Sequence, residues 1–233
     1  MNASAVSILV LGFLLGIKHA VETDHVAAVS TIASEQRSIW RASLVGAIWG
    51  MGHTTSLLVA GIAVLALQLA IPERIQLLLE LLVGLMLVGL GVRAIRRAAK
   101  AVVMHRHEHH HGGSSHTHVH VHLGSVGHAH GRAAMPMRSF WIGLMHGLAG
   151  SGALTVLVLA TVPSLLTGIG YILVFGAGSI IGMLGTSALI GLPVVLTANR
   201  FGILHLRLQQ AAGVLSIGVG ILLAWETLRI MIG

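Results

Sequence analysis

One short stretch, residues 16–30 (GIKHAVETDHVAAVS), combines residues that can bind a metal ion with a strongly apolar surrounding. Within eight residues it holds Lys18, His19, Glu22, Asp24 and His25, whereas residues 6–17 and 26–33 carry no charge. Imidazole nitrogen and carboxylate oxygen are donors that divalent transition metals accept. Inside a membrane such groups are costly unless they face protein, water or an ion. These residues therefore predict a functional site within a membrane-spanning segment.

The spacing of these residues favours a shared helical face for three of them. At about 100° per residue, His19, Glu22 and His25 follow one another along one face of an intact helix. Asp24 points almost opposite to Glu22, so it needs local unwinding or a neighbouring helix as its partner. Lys18 and Glu22 are four residues apart and could form an ion pair. Glu22 is thus either a metal ligand or the partner of Lys18, and we favour the partner.

Four further ionisable residues lie in or beside oily segments. His53 in GMGHTTS and His146 in LMHGLAGSGAL are candidate ligands, although each taken singly could equally hydrogen-bond a neighbouring helix. His205 lies near Arg207 in a predicted loop, and we interpret it as a structural residue. For Glu80 in LLLELLVGL we favour helix packing over proton coupling. The predicted metal site therefore comprises His19, Glu22, Asp24, His25, His53 and His146, and no catalytic residue or bound cofactor is expected.

Composition indicates an integral membrane protein. The 233 residues are 55% hydrophobic and 9% charged, with a mean hydropathy of +0.89, outside the usual range of soluble domains. The net charge of +7 lies between oily segments, so it indicates membrane topology rather than nucleic-acid binding. Because there is no cysteine, disulfides, zinc–thiolate sites and iron–sulfur clusters are excluded.

Six segments are long and apolar enough to span a bilayer as helices. They are residues 5–33, 42–71, 75–94, 139–162, 165–198 and 208–232. A cleaved signal peptide is not expected, because no basic residue precedes the first apolar run. Most lysines and arginines fall in the first, third and fifth loops. The positive-inside rule then predicts that these loops lie on the cytoplasmic side of the inner membrane and that both termini lie on its outer side.

The third loop is rich in histidine. Eleven histidines lie between His105 and His130, diluted by glycine and serine. Such a composition cannot bury much apolar surface, so residues 101–138 are predicted to be a disordered cytoplasmic loop. A histidine-rich tract favours weak binding of transition metals, although a merely solubilising linker would have a similar composition.

The two halves of the sequence, residues 1–100 and 139–233, show an internal repeat. GIKHAVETDHVAAV aligns with GLMHGLAGSGALTV, which pairs Gly16 with Gly143 and His19 with His146. In the next segments GMGHTT from Gly50 aligns with GMLGTS from Gly182. Three glycines of the third segment (84, 89 and 91) likewise match glycines 213, 218 and 220 and are expected to permit close helix packing. Because each half has three spans, the fold class predicted is an all-α membrane protein with two inverted three-helix repeats.

Several motifs resemble those of the nickel/cobalt transporter family. His19, four intervening residues and Asp24-His25 resemble its H-X4-D-H signature, and GMGHTTS around His53 resembles its second histidine motif. LMHGLAGSGAL is similar to a segment of the shorter NicO-type and urease-accessory nickel permeases. The resemblance implies that His19, Asp24 and His25 are essential for metal uptake, and that nickel-enzyme maturation proteins are partners. Six spans differ from the eight that are common in the family.

These features together predict a secondary transporter of divalent metal ions, Ni²⁺ first and Co²⁺ second. A modest nitrogen and oxygen site suits nickel, and the absence of a Walker A motif leaves an ion gradient, the membrane potential or a separate partner as the source of energy. The pattern is compatible with import and with export. Two alternatives are a membrane-anchored metal store and an intramembrane hydrolase, for which the H-E-x-x-H motif is missing.

Overall fold

Seven helices and one β-hairpin make up the described part of the chain. The computed structural model describes residues 3–36, 38–67, 72–100, 102–111, 114–123, 134–149, 165–198 and 201–233. The helices are α1 (Ala3–His19), α2 (Thr23–Ala33), α3 (Ile39–Leu67), α4 (Glu73–Lys100), α5 (Ala134–Ala149), α6 (Leu165–Ala198) and α7 (Gly202–Ile232). The hairpin, β1 (Val102–His111) and β2 (Ser114–Leu123), follows α4 in the sequence. The predicted all-helical character is confirmed outside the hairpin.

Among the described residues, four helices are long and apolar enough to cross a membrane. They are α3 over Ile39–Val64, α4 over Glu73–Lys100, α6 over Leu166–Ala198 and α7 over Gly202–Ile232, which correspond to the second, third, fifth and sixth predicted spans. Helix α5 covers the first part of the fourth predicted span, whose residues 150–162 lie outside the described part of the chain. The architecture is that of an integral membrane protein.

The first predicted span is wrong as a single helix. Helix α1 ends at His19, the chain turns over residues 20–22, and α2 begins at Thr23. The turn retains hydrogen bonds from Val21 N to Lys18 O and from Glu22 N to His19 O, both 3.1 Å long. One span was predicted because residues 5–33 form a long, mostly apolar segment. Just after the break, Asp24 hydrogen-bonds His146 of another helix, α5.

Helix α2 lies at the centre of the protein. All its residues from Ala27 to Ala33 are buried, and the surrounding apolar cluster includes Val45 and Trp49 of α3 and Leu87 of α4. Its hydroxyl groups do not need outside partners, because Ser30 and Thr31 each donate to a carbonyl group three residues earlier. A half-helix of small residues can therefore pack deep between the long helices.

Close glycine contacts join the long helices in pairs. In the first pair, Gly46 of α3 lies against Met183 of α6, and Gly176 of α6 lies against Thr54 of α3, so these helices run antiparallel. In the second pair, Gly84 and Gly91 of α4 lie against Gly220 and Gly213 of α7, which is also an antiparallel arrangement.

The predicted role of glycine in close packing is confirmed at two of three positions in α4. A methyl group added to Gly84 or Gly91 would meet α7 backbone within 3 Å, because the helices approach closely there. At Gly89 the prediction is wrong, since an added methyl group meets nothing within 4 Å, and the same holds at Gly218.

The two shorter apolar helices each lie along a long helix in parallel orientation. Gly12 of α1 faces Tyr171 of α6, and Gly182 of α6 faces Ala20 just after α1. Similarly, Gly143 of α5 lies against the Trp49 carbonyl of α3. Gly147, farther along α5, contacts Ser56 of α3. Helix α1 is thus held by α6, and α5 by α3.

The segment predicted to be a disordered loop, residues 101–138, contains the hairpin. Strands β1 and β2 pair in antiparallel register from Val102–Leu123 to His111–Ser114, and α5 begins at Ala134, before the predicted boundary at 139. The physical reason is alternation, since Thr117, Val119 and Val121 take every second place, a pattern that favours a strand. The remaining residues of this predicted loop, including His128 and His130, lie outside the described ranges.

A buried carboxylate anchors the far end of α2. The Glu35 side chain is 7% exposed, and its oxygens lie 3.0 Å from Arg97 Nη1, 3.7 Å from Arg138 Nη1 and 3.9 Å from Arg93 Nε. The Gln209 side chain of α7 also donates to Ser34 O at 2.9 Å. The end of α2, the end of α4 and the starts of α5 and α7 therefore meet at one end of the protein.

Replacing Glu35 by alanine should lower the free energy of unfolding by about 1–3 kcal/mol. Removing one member of a buried ion pair typically costs about 3–5 kcal/mol, and exposure of the arginines reduces that figure through solvent screening. Thermal unfolding in detergent measures the effect. Glu73→Ala, which removes an exposed carboxylate, is the control. Equal unfolding temperatures for Glu35→Ala and the parent would contradict the anchoring role.

Candidate metal centre

The six residues predicted from the sequence meet at the break between α1 and α2. His19 ends α1, Glu22 precedes α2, Asp24 and His25 begin α2, and His53 and His146 approach from α3 and α5. His25 is 1% exposed, and His53 and His146 are fully buried. We call this set the histidine–carboxylate cluster: His19, Glu22, Asp24, His25, His53 and His146.

His19 connects the end of α1 to the middle of α3. Its Nε2 lies 3.1 Å from His53 Nε2, and its Nδ1 lies 2.9 Å from Glu22 Oε2. Because a carboxylate only accepts hydrogen bonds, Nδ1 of His19 is the donor and its Nε2 carries the lone pair. Two nitrogens that share a metal ion at about 2.1 Å lie roughly 3–3.5 Å apart. The spacing of the two imidazoles therefore suits a shared ion as well as a hydrogen bond.

Asp24 holds two histidines at once. Its Oδ1 accepts hydrogen bonds from the backbone N–H and from Nδ1 of His25, each at 2.9 Å. Its Oδ2 accepts one from His146 Nε2, also at 2.9 Å. The carboxylate lies in the first turn of α2, where the positive end of the helix dipole stabilises it. Asp24 therefore ties α2 to α5 and orients both rings.

Three buried imidazole nitrogens have no hydrogen-bond partner among the described residues. They are His25 Nε2, His53 Nδ1 and His146 Nδ1. Since His25 and His146 each donate a hydrogen bond to Asp24 through their other nitrogen, His25 Nε2 and His146 Nδ1 carry free lone pairs. Buried polar atoms without partners are uncommon, and a bound ion is one explanation for them. This donor set could therefore hold a metal ion.

Two groups of donors are compact enough to hold an ion. The first group is His19, His25 and His53, and the second is Asp24, His25 and His146, with the ligand atoms of each group within 4.8 Å of one another. His25 belongs to both groups. The carboxylate of Glu22 belongs to neither, but it fixes the ring of His19.

Two aromatic residues that the sequence analysis missed line the cluster. Trp49 of α3 lies 5.2 Å from the ring of His25 and 5.4 Å from that of His146, between ring centroids. Phe175 of α6 lies 5.5 Å from His19. The signal in the sequence is a shared pattern of an aromatic residue, glycine, any residue and glycine, in WGMGH and FGAGS. These rings surround the imidazoles with apolar surface.

The other predictions for single residues have mixed outcomes. The favoured Lys18–Glu22 ion pair is wrong, because the Glu22 carboxylate contacts His19, and Lys18 has no ion pair within the described part of the chain. His205 lies outside the cluster, where its Nδ1 donates to Val194 O at 3.1 Å, as expected of a structural histidine. The Glu80 carboxyl group hydrogen-bonds Thr227 of α7, in keeping with helix packing.

Comparison with known proteins gives two kinds of match. Residues 5–95 match the family described as NicO, high-affinity nickel-transport protein. Over 215 residues the chain is 42% identical to the urease accessory protein UreH of Bacillus sp. (strain TB-90), which covers 92% of this chain and 89% of that protein.

More distant relatives occur in a plant. The chain is 26% and 25% identical to the chloroplast proteins FOR GROWTH AND FERTILITY 1 and 2 of Arabidopsis thaliana, over 216 and 212 residues. It spans 56% and 54% of their lengths. No solved structure matches the chain.

Proposed function

The chain belongs to the NicO family of high-affinity nickel-transport proteins, and from that premise we propose that Ni²⁺ crosses the membrane through the histidine–carboxylate cluster. The observation that carries this proposal is the set of buried imidazole nitrogens without partners at a helix break. His53 is the central residue of α3, with fourteen residues of the helix on either side. A site at this depth suits transport better than storage at the surface.

Charge and ligand chemistry favour a divalent transition metal. Asp24 and Glu22 together carry two negative charges, which one divalent ion neutralises in a site where unpaired charge is costly. Nickel accepts imidazole and carboxylate donors. The negative end of the α1 dipole at His19 also favours a cation. Carboxylates that hydrogen-bond metal-binding histidines fix the ring and raise its basicity, which is the role we assign to Glu22.

The helices are proposed to form two inverted repeats of three spans, with α1 and α2 together as the first broken span. The contact of Gly84 with Gly220 matches that of Gly213 with Gly91 when the third and sixth spans are aligned as in the sequence. Gly52 against Phe140 and Leu144 likewise matches Gly178 against Phe13 and Ile17. These contacts pair Gly50 with Gly176, rather than with Gly182 as the sequence alignment has it. The matched spans run in opposite directions, as inverted repeats require.

We propose that the end of the protein with Glu35 and its arginines faces the cytoplasm, and that both termini lie outside the inner membrane. This orientation is supported by the positive-inside rule and by the position of the first, third and fifth connections, which all lie at this end. Single cysteines at Ser38 and Gly202 should be protected from impermeant thiol reagents in intact cells, whereas one at Glu73 should react. The native chain has no cysteine to interfere. Labelling at Ser38 but not at Glu73 would reverse the orientation.

The β-hairpin is proposed to bind nickel weakly at several places near the cytoplasmic end. Its register sets His105, His107 and His109 directly opposite His120, His118 and His116. These three facing pairs are the proposed weak sites.

Replacing all eleven histidines from His105 to His130 by asparagine should lower the number of bound nickel ions while leaving transport measurable. We call this full-length variant the loop-substituted background. Equilibrium binding of radioactive nickel and uptake at limiting nickel measure the two effects. Complete loss of transport in well-expressed protein would show that the essential site lies among these eleven histidines.

Flux across sealed vesicles tests the proposed function against the alternatives. Proteoliposomes containing the purified chain should show saturable movement of radioactive nickel, driven by an imposed proton gradient or membrane potential. Cobalt added as a competitor tests the second predicted cargo. A metal store or a hydrolase predicts binding without transmembrane movement, so the absence of flux with intact binding would overturn the proposal.

Delivery of the transported nickel to enzyme maturation proteins is proposed from the name of the urease accessory relative.

A further inference from the structure

We infer that the cluster offers nickel two alternative positions that share His25, and that the ion passes from one to the other during transport. The inference rests on the proposed function. It deepens that proposal by assigning different ligands to two steps of the same passage.

The first position lies between α1, α2 and α3. His19 Nε2 and His53 Nε2 are 3.1 Å apart, and the ring of His25 is 4.3 Å from that of His19 and 5.2 Å from that of His53, between centroids. The free Nε2 of His25 completes three nitrogen donors. Asp24 and Glu22 do not bind the ion in this position. They orient the rings by accepting hydrogen bonds from Nδ1 of His25 and Nδ1 of His19, respectively.

The second position lies between α2 and α5. Here the donors are Asp24, His25 and His146, and both oxygens of Asp24 already lie 2.9 Å from the two rings. An ion in this position takes the place of the two protons that His25 Nδ1 and His146 Nε2 now direct at the carboxylate. Each ring stays neutral, because its proton moves to its free nitrogen, His25 Nε2 or His146 Nδ1. Asp24 thereby changes from an orienting group into a ligand.

The two positions cannot be filled together by a neutral His25. A neutral imidazole has one N–H and one lone pair, so His25 ligates either through Nε2 in the first position or through Nδ1 in the second. When the ion changes position, the single imidazole proton moves to the nitrogen that the ion has left. The rings of His53 and His146, one from each position, are only 6.3 Å apart between centroids. The transfer is therefore short and requires one shared ring.

The test uses the loop-substituted background and nickel as the only probe. The parent should bind one nickel ion, not two. His53→Ala should retain binding with a mixed imidazole and carboxylate environment in nickel X-ray absorption, and His146→Ala should retain an environment of imidazoles alone. Both variants should lose at least 10-fold in vesicle flux, because each keeps only one of the two positions. The double variant should lose binding. Glutamine at either place replaces alanine if an alanine variant fails to fold.

Several outcomes would overturn the two-position inference. Two nickel ions per cluster would contradict the sharing of His25, and parental flux in either single variant would show that one position suffices. Identical absorption spectra for the two variants would show a single site. The proposed function fails separately, if His25→Ala, which removes both positions, transports nickel like the parent.

Discussion

Replacing His25 by alanine should reduce nickel flux by more than about 100-fold at matched membrane expression. His25 belongs to both compact donor groups and is 1% exposed, so no solvent ligand readily replaces it. Loss of a group that only orients a metal ligand typically costs about 10–100-fold in affinity or activity, and loss of a shared ligand should exceed that range. Uptake of radioactive nickel by cells and by proteoliposomes measures the effect.

Two comparisons give this prediction its specificity. His205→Ala removes a histidine that bonds Val194 and Gln209 away from the cluster, and it should retain nearly parental flux. Glu22→Gln keeps an oxygen that can accept from His19, so its loss of flux should be intermediate. Equal losses in His25→Ala and His205→Ala would indicate general destabilisation instead of a lost ligand.

Replacing Gly143 by alanine should prevent stable assembly of the helices. The added methyl group would overlap the carbonyl oxygen and the ring of Trp49 in α3. Because that oxygen belongs to helix backbone, α5 would have to move away and carry His146 with it. Overpacking a core typically costs about 1–3 kcal/mol and sometimes more, and a backbone clash belongs at the upper end. Yield of monodisperse protein in detergent and its unfolding temperature measure the effect.

A matched pair of glycines controls for the loss of glycine as such. Gly89 in α4 and Gly218 in α7 have nothing within 4 Å of an added methyl group. Alanine at either place should be neutral or stabilise the protein by up to about 1 kcal/mol through helix propensity. If Gly143→Ala were as stable as Gly89→Ala, the close contact between α5 and α3 would not exist.

The residues of the candidate site could be selected from the sequence because ionisable groups are rare in membrane-spanning segments. His19, Asp24 and His25 lie in a segment predicted to span the membrane, where a charged group is energetically costly unless it has a partner. His53 and His146 lie in equally apolar segments. The positions of the long helices were also predictable, since about 20 apolar residues are enough to define a span. What the sequence could not supply is how the ligands share protons and partners. Glu22 pairs with His19 instead of Lys18, although the sequence spacing allows either partner.

The break and the register of the repeat could not be read from composition. Residues 20–22 contain no glycine or proline. Just after them, Asp24 hydrogen-bonds His146, which lies 122 residues away in the sequence. Helices α3 and α6 can be aligned by their glycines in two ways, with Gly50 opposite Gly182 or opposite Gly176. The contacts of Gly52 and Gly178 favour the second alignment. The hairpin was not predicted, because the high histidine content of this segment indicated disorder and the alternation of its valines was not considered.

The central claim is that nickel is bound by the buried histidines at the break between α1 and α2. Crystals of the loop-substituted background soaked in nickel, with data collected at the nickel absorption edge, test it directly. An anomalous peak should lie at bonding distance, about 2.1 Å, from a ring nitrogen of His25 and from at least one of His19, His53 and His146. Nickel bound elsewhere in the chain, with no peak among these four rings, would contradict the account.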